Sequence, residues 1–246
     1  MHNQVLGWHL LETWGMFDEL NLDREVARNW LAFVEGCYLD APYHNALHAA
    51  DVTQTVHFFL SEGGLATFLE KFEILGLLLA AMVHDLGHDG RNNLYHKNAH
   101  TDRAVAFNDQ SIQENFHLHL LFTTMRQTPK IDLFCNFSHA QKLEMRSMII
   151  DLVLHTDMSK HFANLKDFKE LAATIQSDRE EWRDGGNAQI LMSLVLHAAD
   201  ISNPSKPRRL AVFWAQVCSY TYEKKRIFAS GSQGARGKSV FSFGIE

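Results

Sequence analysis

A chain of 246 residues, 46% hydrophobic and 21% charged, is long enough to bury a sizeable core, so one large globular domain is the expectation. A net charge of −6 and a pI near 6.2 supply no broad cationic surface and argue against a nucleic-acid partner. The three cysteines form no CxxC pair, which argues against a disulfide framework or a thiolate zinc site, and the apolar run Ile74 to Val83 is too short to cross a bilayer; a soluble, cytoplasmic chain with no membrane segment is expected.

The elements read as helices in an all-α, compact multi-helix domain, because apolar residues recur at three- and four-residue steps and there are only four prolines. The first helix with a motif runs from His44 to Leu60 and is closed by Ser61-Glu62-Gly63-Gly64. The next runs from Glu70 into the His84-Asp85 pair, with Gly87 and Gly90 marking its exit. Thr101 to Phe107, Ser111 to Met125, His139 to Leu154, Ser159 to Thr174, Asn187 to Ala199 and Pro207 to Arg226 follow. After Arg226 the chain turns rich in Ser and Gly, so residues 1–226 are expected to form the domain and 227–246 an irregular tail.

The chemistry is written in the histidines and aspartates. On a helix, the i, i+4 pair His44 and His48 would share one face. His84-Asp85 ends an apolar helix with His88 one turn on, and Asp200 ends another. Two imidazoles and two carboxylates at the ends of buried helices make a mixed nitrogen and oxygen donor set, suited to Zn²⁺ or to harder ions such as Mg²⁺ or Mn²⁺. Each piece alone has an ordinary reading, since a single His on an apolar face is more often a hydrogen-bonded core residue than a ligand. The HDxxH element is more telling, because an Asp at the end of an apolar helix strands a charge in the core unless a cation balances it.

Tyr43-His44-Asn45 through His48 to Asp51, His84-Asp85 through His88 to Asn93, Ser111 to Asn115, Thr156 to His161 and Ala199-Asp200 through Asn203-Pro204 resemble, in order, the successive signatures of class I 3′,5′-cyclic nucleotide phosphodiesterases, an HD-type phosphohydrolase fold. The resemblance covers residues 30–222; Val52 to His57 is most similar to the calmodulin-stimulated branch, and Thr156 to His161 to the cAMP-specific one. It implies hydrolysis of a cyclic nucleotide, cAMP or cGMP, to the 5′-monophosphate in signal transduction. It implies zinc held by His48, His84, Asp85 and Asp200, with Asp85 bridging to a second ion, usually magnesium, whose waters are held by His88, Glu114 and Thr156. It implies His44 as the general acid and Tyr43, Met158 and Asn203 as residues lining the nucleotide pocket. Asn45, Asp51 and Asn93 read as structural or as partners that orient the ligands. A homodimer is an assembly open to such a chain.

Two departures stand out. Phe116 occupies a position where many relatives carry His, which bears on one outer hydrogen bond. The purine-binding glutamine and stacking phenylalanine of the family have no counterpart, Gln233 lying in a Ser/Gly-rich stretch, so the C-terminal end is expected to be truncated or altered. Three readings therefore stay open: an active phosphodiesterase, an impaired isoform that keeps its metals but cannot hold the purine, and another HD-type nucleotide phosphohydrolase, which HDxxH alone would favour.

Overall fold

The computed structural model describes residues 2–175 and 179–231, with the side chains of residues 179, 185 and 221–231 outside that description. The helices are α1 His2–Thr13, α2 Met16–Glu19, α3 Arg24–Cys37, α4 Ala46–Ser61, α5 Lys71–Val83, α6 Asn93–Asn98, α7 Asp102–Ala106, α8 Ile112–Gln127, α9 His139–Leu154, α10 His161–Thr174, α11 Arg179–Trp182, α12 Gly185–Asp200 and α13 Arg208–Gly231. No strand occurs among the described residues, and no helix among them is long and apolar enough to cross a membrane.

The organising element is α5. Every residue from Ile74 to Val83 is buried, so this helix has no solvent face and must be wrapped by others. Its start is fixed by a capping box in which Glu70 N donates to Glu73 Oε2 at 2.7 Å. The helices α4 and α9 pack most extensively on it, α1, α2, α8 and α12 also touch it, and α1 lies against α3 and α4 as well. The crossing with α9 is close because position 76 is glycine: a Cβ there would collide with the Met148 sulfur and press on Met145. The same burial that makes α5 a core element makes any polar group at its end expensive.

Local signals set most helix limits. His139–Leu154 matches its expected span, its start fixed by a second capping box of Ser138 and Gln141. Four expectations shift. The helix expected from His44 starts instead at Ala46, since the Asn45 side chain accepts from Leu47 N at 2.9 Å and His48 N at 3.2 Å and so caps it; His44 lies outside the helix rather than on its face. The segment from Ser159 divides into a 3₁₀ turn, Met158–Lys160, and α10, because Asp157 captures Ser159 N at 2.9 Å. The helix expected from Asn187 begins at Gly185, capped by Asp184. The last helix continues past Arg226 to Gly231, and Gln233 with the rest of the expected tail lies outside the described residues. The helices α1, α2, α3, α6 and α11 had no counterpart in the expected set.

Candidate metal centre

The site is built from three helix ends. Asn45 clamps the entry to α4, accepting from the helix while its Nδ2 donates to Ala41 O at 2.9 Å and Pro42 O at 3.1 Å, which fixes His48 one turn in and fully buried. At the exit of α5, His84 donates Nδ1–H to Ala81 O at 2.9 Å, turning its Nε2 away from the backbone; that partner assigns the tautomer. At the end of α12 stands Asp200, and α12 packs on both α4 and α5.

The four side chains meet. His48 Nε2 is 3.0 Å from Asp200 Oδ1 and 3.6 Å from Asp85 Oδ2; His84 Nε2 is 3.3 Å from Asp200 Oδ1 and 3.5 Å from Asp85 Oδ2. Donors each 2.0–2.2 Å from one ion at tetrahedral angles would sit about 3.4 Å apart, so the spacing of His48, His84 and Asp200 is one that could hold a cation, with Asp85 beside the two imidazoles. One atom each of His48, His84 and Asp200 lies within 4.8 Å of the others. His84 Nε2 and Asp85 Oδ2 are buried without a well-aligned hydrogen-bond partner. Orphaned buried polar atoms of this kind call for a ligand, and the donor set fits a divalent metal.

The electrostatics agree. Burial alone would depress the His84 imidazole, but Asp85 and Asp200 outweigh it and raise its pKa to about 9. Burial likewise opposes ionisation of Asp85 and Asp200, yet His84 and its neighbours hold both well below the usual carboxylate range. A proton on His84 thus balances the carboxylates, and a cation has to displace it.

Around the cluster the backbone is held by side chains. The last carbonyls of α5 lack helical partners and receive donors from elsewhere. Tyr38 OH donates to Met82 O at 2.9 Å, and His117 donates Nδ1–H to Leu86 O at 2.7 Å, leaving its Nε2 3.8 Å from Asp85 Oδ1. The sequence motifs do not include His117, although they include Phe116 beside it. The available signal was periodicity, since Gln113, His117 and Leu121 are buried on one face of α8.

His44 stacks on His88 with ring centroids 3.8 Å apart and planes within 14°, and lies edge-on to His48 at 6.1 Å. His88 accepts Gly90 N–H on Nδ1 at 2.9 Å, which places its ring proton on Nε2. Burial, reinforced by His44 and His117 and opposed by Asp85, keeps His88 neutral. Glu114 accepts from Asn93 Nδ2 at 2.8 Å, and burial pushes its pKa up to about 7. Thr156 is buried and donates its hydroxyl to Val153 O at 2.8 Å. Its turn is tied to the start of α8, Ser111 Oγ donating to Asp157 Oδ2 at 2.8 Å.

The expected pocket residues divide. Tyr43 OH donates to Asn203 Oδ1, while Asn203 Nδ2 donates to Asp51 Oδ2 at 3.1 Å and Lys206 Nζ reaches Asp51 Oδ1 at 2.7 Å. Asn203 is therefore oriented by partners on both ends of its amide. Met158, 59% exposed on its 3₁₀ turn, stands outside this hydrogen-bonded assembly. A cavity of about 920 Å³ lies elsewhere, between α8 and α9, lined by Phe122, Phe134, Arg126, Lys142 and Arg146 among others.

Residues 43–226 match the family model described as 3′5′-cyclic nucleotide phosphodiesterase. The chain is 34% identical over 215 residues to a probable 3′,5′-cyclic phosphodiesterase, pde-1, of Caenorhabditis elegans, covering 87% of this chain and 31% of that protein. It is 40% identical over 176 residues to the dual specificity calcium/calmodulin-dependent 3′,5′-cyclic nucleotide phosphodiesterase 1B of Bos taurus, covering 72% of this chain and 31% of that one. The chain thus spans about a third of the length of these curated relatives. The crystal structure of the phosphodiesterase domain of the RhoPDE fusion protein from Salpingoeca rosetta superposes with a TM-score of 0.83 at 26% identity, covering 93% of this chain and 72% of that one.

Proposed function

The chain belongs to the 3′,5′-cyclic nucleotide phosphodiesterase family, and we propose that it hydrolyses a 3′,5′-cyclic nucleotide, cAMP or cGMP, to the nucleoside 5′-monophosphate at the cluster of His48, His84, Asp85 and Asp200. One observation carries the reading: His48, His84 and Asp200 bring one donor atom each within 4.8 Å of one another, Asp85 Oδ2 lies 3.5 and 3.6 Å from the two imidazoles, and His84 Nε2 and Asp85 Oδ2 are buried and unsatisfied. The printed names of relatives, which include cAMP and dual specificity phosphodiesterases, support the substrate class. The free Cys37, Cys135 and Cys218 suit a reducing, cytoplasmic setting.

In this reading His48, His84, Asp85 and Asp200 would hold zinc, and Asp85, with His88, Glu114 and Thr156 nearby, would serve a second ion, magnesium or manganese. When bound, the metals would supply charge that neutralises the cyclic phosphate and a water whose lowered pKa makes hydroxide available to attack phosphorus near neutral pH. The chain's own residues do the rest. His44 gives its proton to the 3′-oxygen as the phosphorus–oxygen bond breaks, and its stacking on His88 fixes the ring from which that proton leaves. Glu114, its pKa pushed up to about 7 by burial, would be able to hold or release a proton beside the metal site. Tyr43 and Asn203 shape the nucleotide side as a hydrogen-bonded pair, with Met158 contributing an apolar contact.

Zinc- and magnesium-loaded protein assayed against cAMP, cGMP and bis-p-nitrophenyl phosphate tests this. Turnover of a cyclic nucleotide is expected, falling about 10²–10⁴-fold in His44→Ala. Bound metal with no cyclic-nucleotide turnover would overturn the assignment in favour of an impaired member. Preference for another nucleotide would point to a different phosphohydrolase, and full activity in His44→Ala would remove the general acid.

A further inference from the structure

A second polar cluster, with Gln113 and His96 buried and Asp89 reaching solvent, lies beside the turn that carries Asp85 and His88. Asp89 Oδ1 accepts from Gln113 Nε2 at 2.7 Å and from Arg91 N at 3.0 Å, and His96 Nε2 is 3.3 Å away. Gln113, 2% exposed, also donates to Arg91 O at 2.7 Å and receives Arg103 Nη1 on its Oε1 at 2.6 Å. Arg103 in turn donates Nη2 to Gly87 O at 3.4 Å, stands 3.9 Å from Asp89 Oδ2, and lays its guanidinium over the Phe116 ring at 3.5 Å. Phe116 itself presses on Gly87, where a Cβ would come within 3.1 Å of it, and Gly87 holds a left-handed φ of +71°.

We infer that Arg103 is a positioning residue for the metal-bearing turn: stacked on Phe116 and locked by Gln113, it grips the turn at Gly87 O and Asp89 and so sets the direction of Asp85 and His88. The inference rests on the metal-binding reading of that turn. Three considerations support it. Guanidinium offers several donors in one rigid plane, which lets a single side chain engage Gln113 and Gly87 together and still stack on a ring. Its contacts reach residues on both sides of His88, so displacement of Arg103 alters the pair that brackets that imidazole. Its other link runs into α8, because Gln113 N donates to Asn93 Oδ1 at 2.9 Å and Asn93 holds Glu114; the turn and the helix bearing Glu114 and His117 are thereby one unit. Phe116 here serves as the platform for the cation, a role its aromatic face performs and an imidazole would perform less well.

The test compares metal affinity, which needs no substrate. Mn²⁺ and Zn²⁺ titrations of the whole chain should show about tenfold weaker binding in Arg103→Met, the size that loss of an outer partner of a metal site carries, with a melting temperature in chelator close to that of the parent. Arg103→Lys, which keeps charge but not the fork, should fall between the two, and it keeps the test informative if Arg103→Met does not fold. Metal affinity equal to the parent in the folded variants, or a lowered melting temperature with unchanged affinity, would overturn the inference and leave Arg103 a packing residue. Because the readout is binding, absence of cyclic-nucleotide turnover in the parent would count against the proposed activity alone.

Discussion

Two aspartates four residues apart, Asp85, largely enclosed, and Asp89, which reaches solvent, both lie beside imidazoles and are both held well below the usual carboxylate range, yet they answer their charge in opposite ways. Burial opposes the ionisation of each; at Asp89 the bonds from His96 and Arg91 N–H, with Arg103 nearby, overcome it, and at Asp85 the surrounding histidines do. Around Asp89 the donors are satisfied within the protein, and its positive partner is a guanidinium that does not give up its proton. Around Asp85 one oxygen and the facing His84 Nε2 remain buried without a hydrogen bond, and a balancing charge is the proton on His84, which a cation can displace. The contrast separates a brace from a ligand set: charge answered by a permanent, hydrogen-bonded partner holds structure, whereas enclosed charge left with exchangeable partners is ready for a metal.

The contrast breaks most sharply on a pair of isosteric changes. Asp85→Asn should lower turnover by more than the about 10–100-fold that an outer partner carries, while Asp89→Asn, which keeps an acceptor for Gln113, should stay within that range. Comparable losses in initial-rate assays of the two would erase the distinction.

The pH dependence comes next in size. The His84 pKa is raised from 6.5 to about 9, so in the metal-free chain its contribution to stability is fully present below pH 6.5 and is lost as pH rises through 9. Metal binding must remove that proton, so apparent affinity should climb with pH over the same window, by up to about tenfold per unit from this group. Calorimetric titration in buffers of different ionisation enthalpy reads the released proton directly; no release at pH 7 would contradict the assignment.

Smaller effects sharpen the picture of how the ligands are aimed. His117→Leu removes the donor to Leu86 O and should weaken metal binding about 10–100-fold in a zinc competition assay, with a modest loss of stability. Asn45→Ala removes the cap of α4 and should cost about 1 kcal/mol, or about 2–4 °C in Tm by calorimetry at this chain length, with metal affinity little changed because His48 stays on α4.

These regions also differ in how far they could be read from the sequence. The run Ile74 to Val83 announced a buried helix, and the Asp at its end announced an unbalanced charge, because both are local properties of neighbouring residues. The spacing of His44 and His48 misled: i, i+4 describes a helix face only if both residues are in the helix, and the side chain of Asn45 intercepts the first amides between them. The brace was illegible because its bonds join residues 10 to 24 positions apart, such as Arg103 to Gln113 and Asp89 to Gln113, and depend on the packing of α7 and α8 behind the turn. His117 was hidden for a related reason, since a buried imidazole and a packing imidazole look alike until the carbonyl it reaches, Leu86 O, is brought to it by tertiary structure.

The most direct test is metal stoichiometry. Folded protein, verified by circular dichroism and dialysed against zinc, magnesium and manganese, should retain at least one ion per chain by elemental analysis and lose it in Asp200→Ala. A folded parent chain that retains none, or an Asp200→Ala variant that retains as much, would contradict the claim that His48, His84, Asp85 and Asp200 converge on a shared cation.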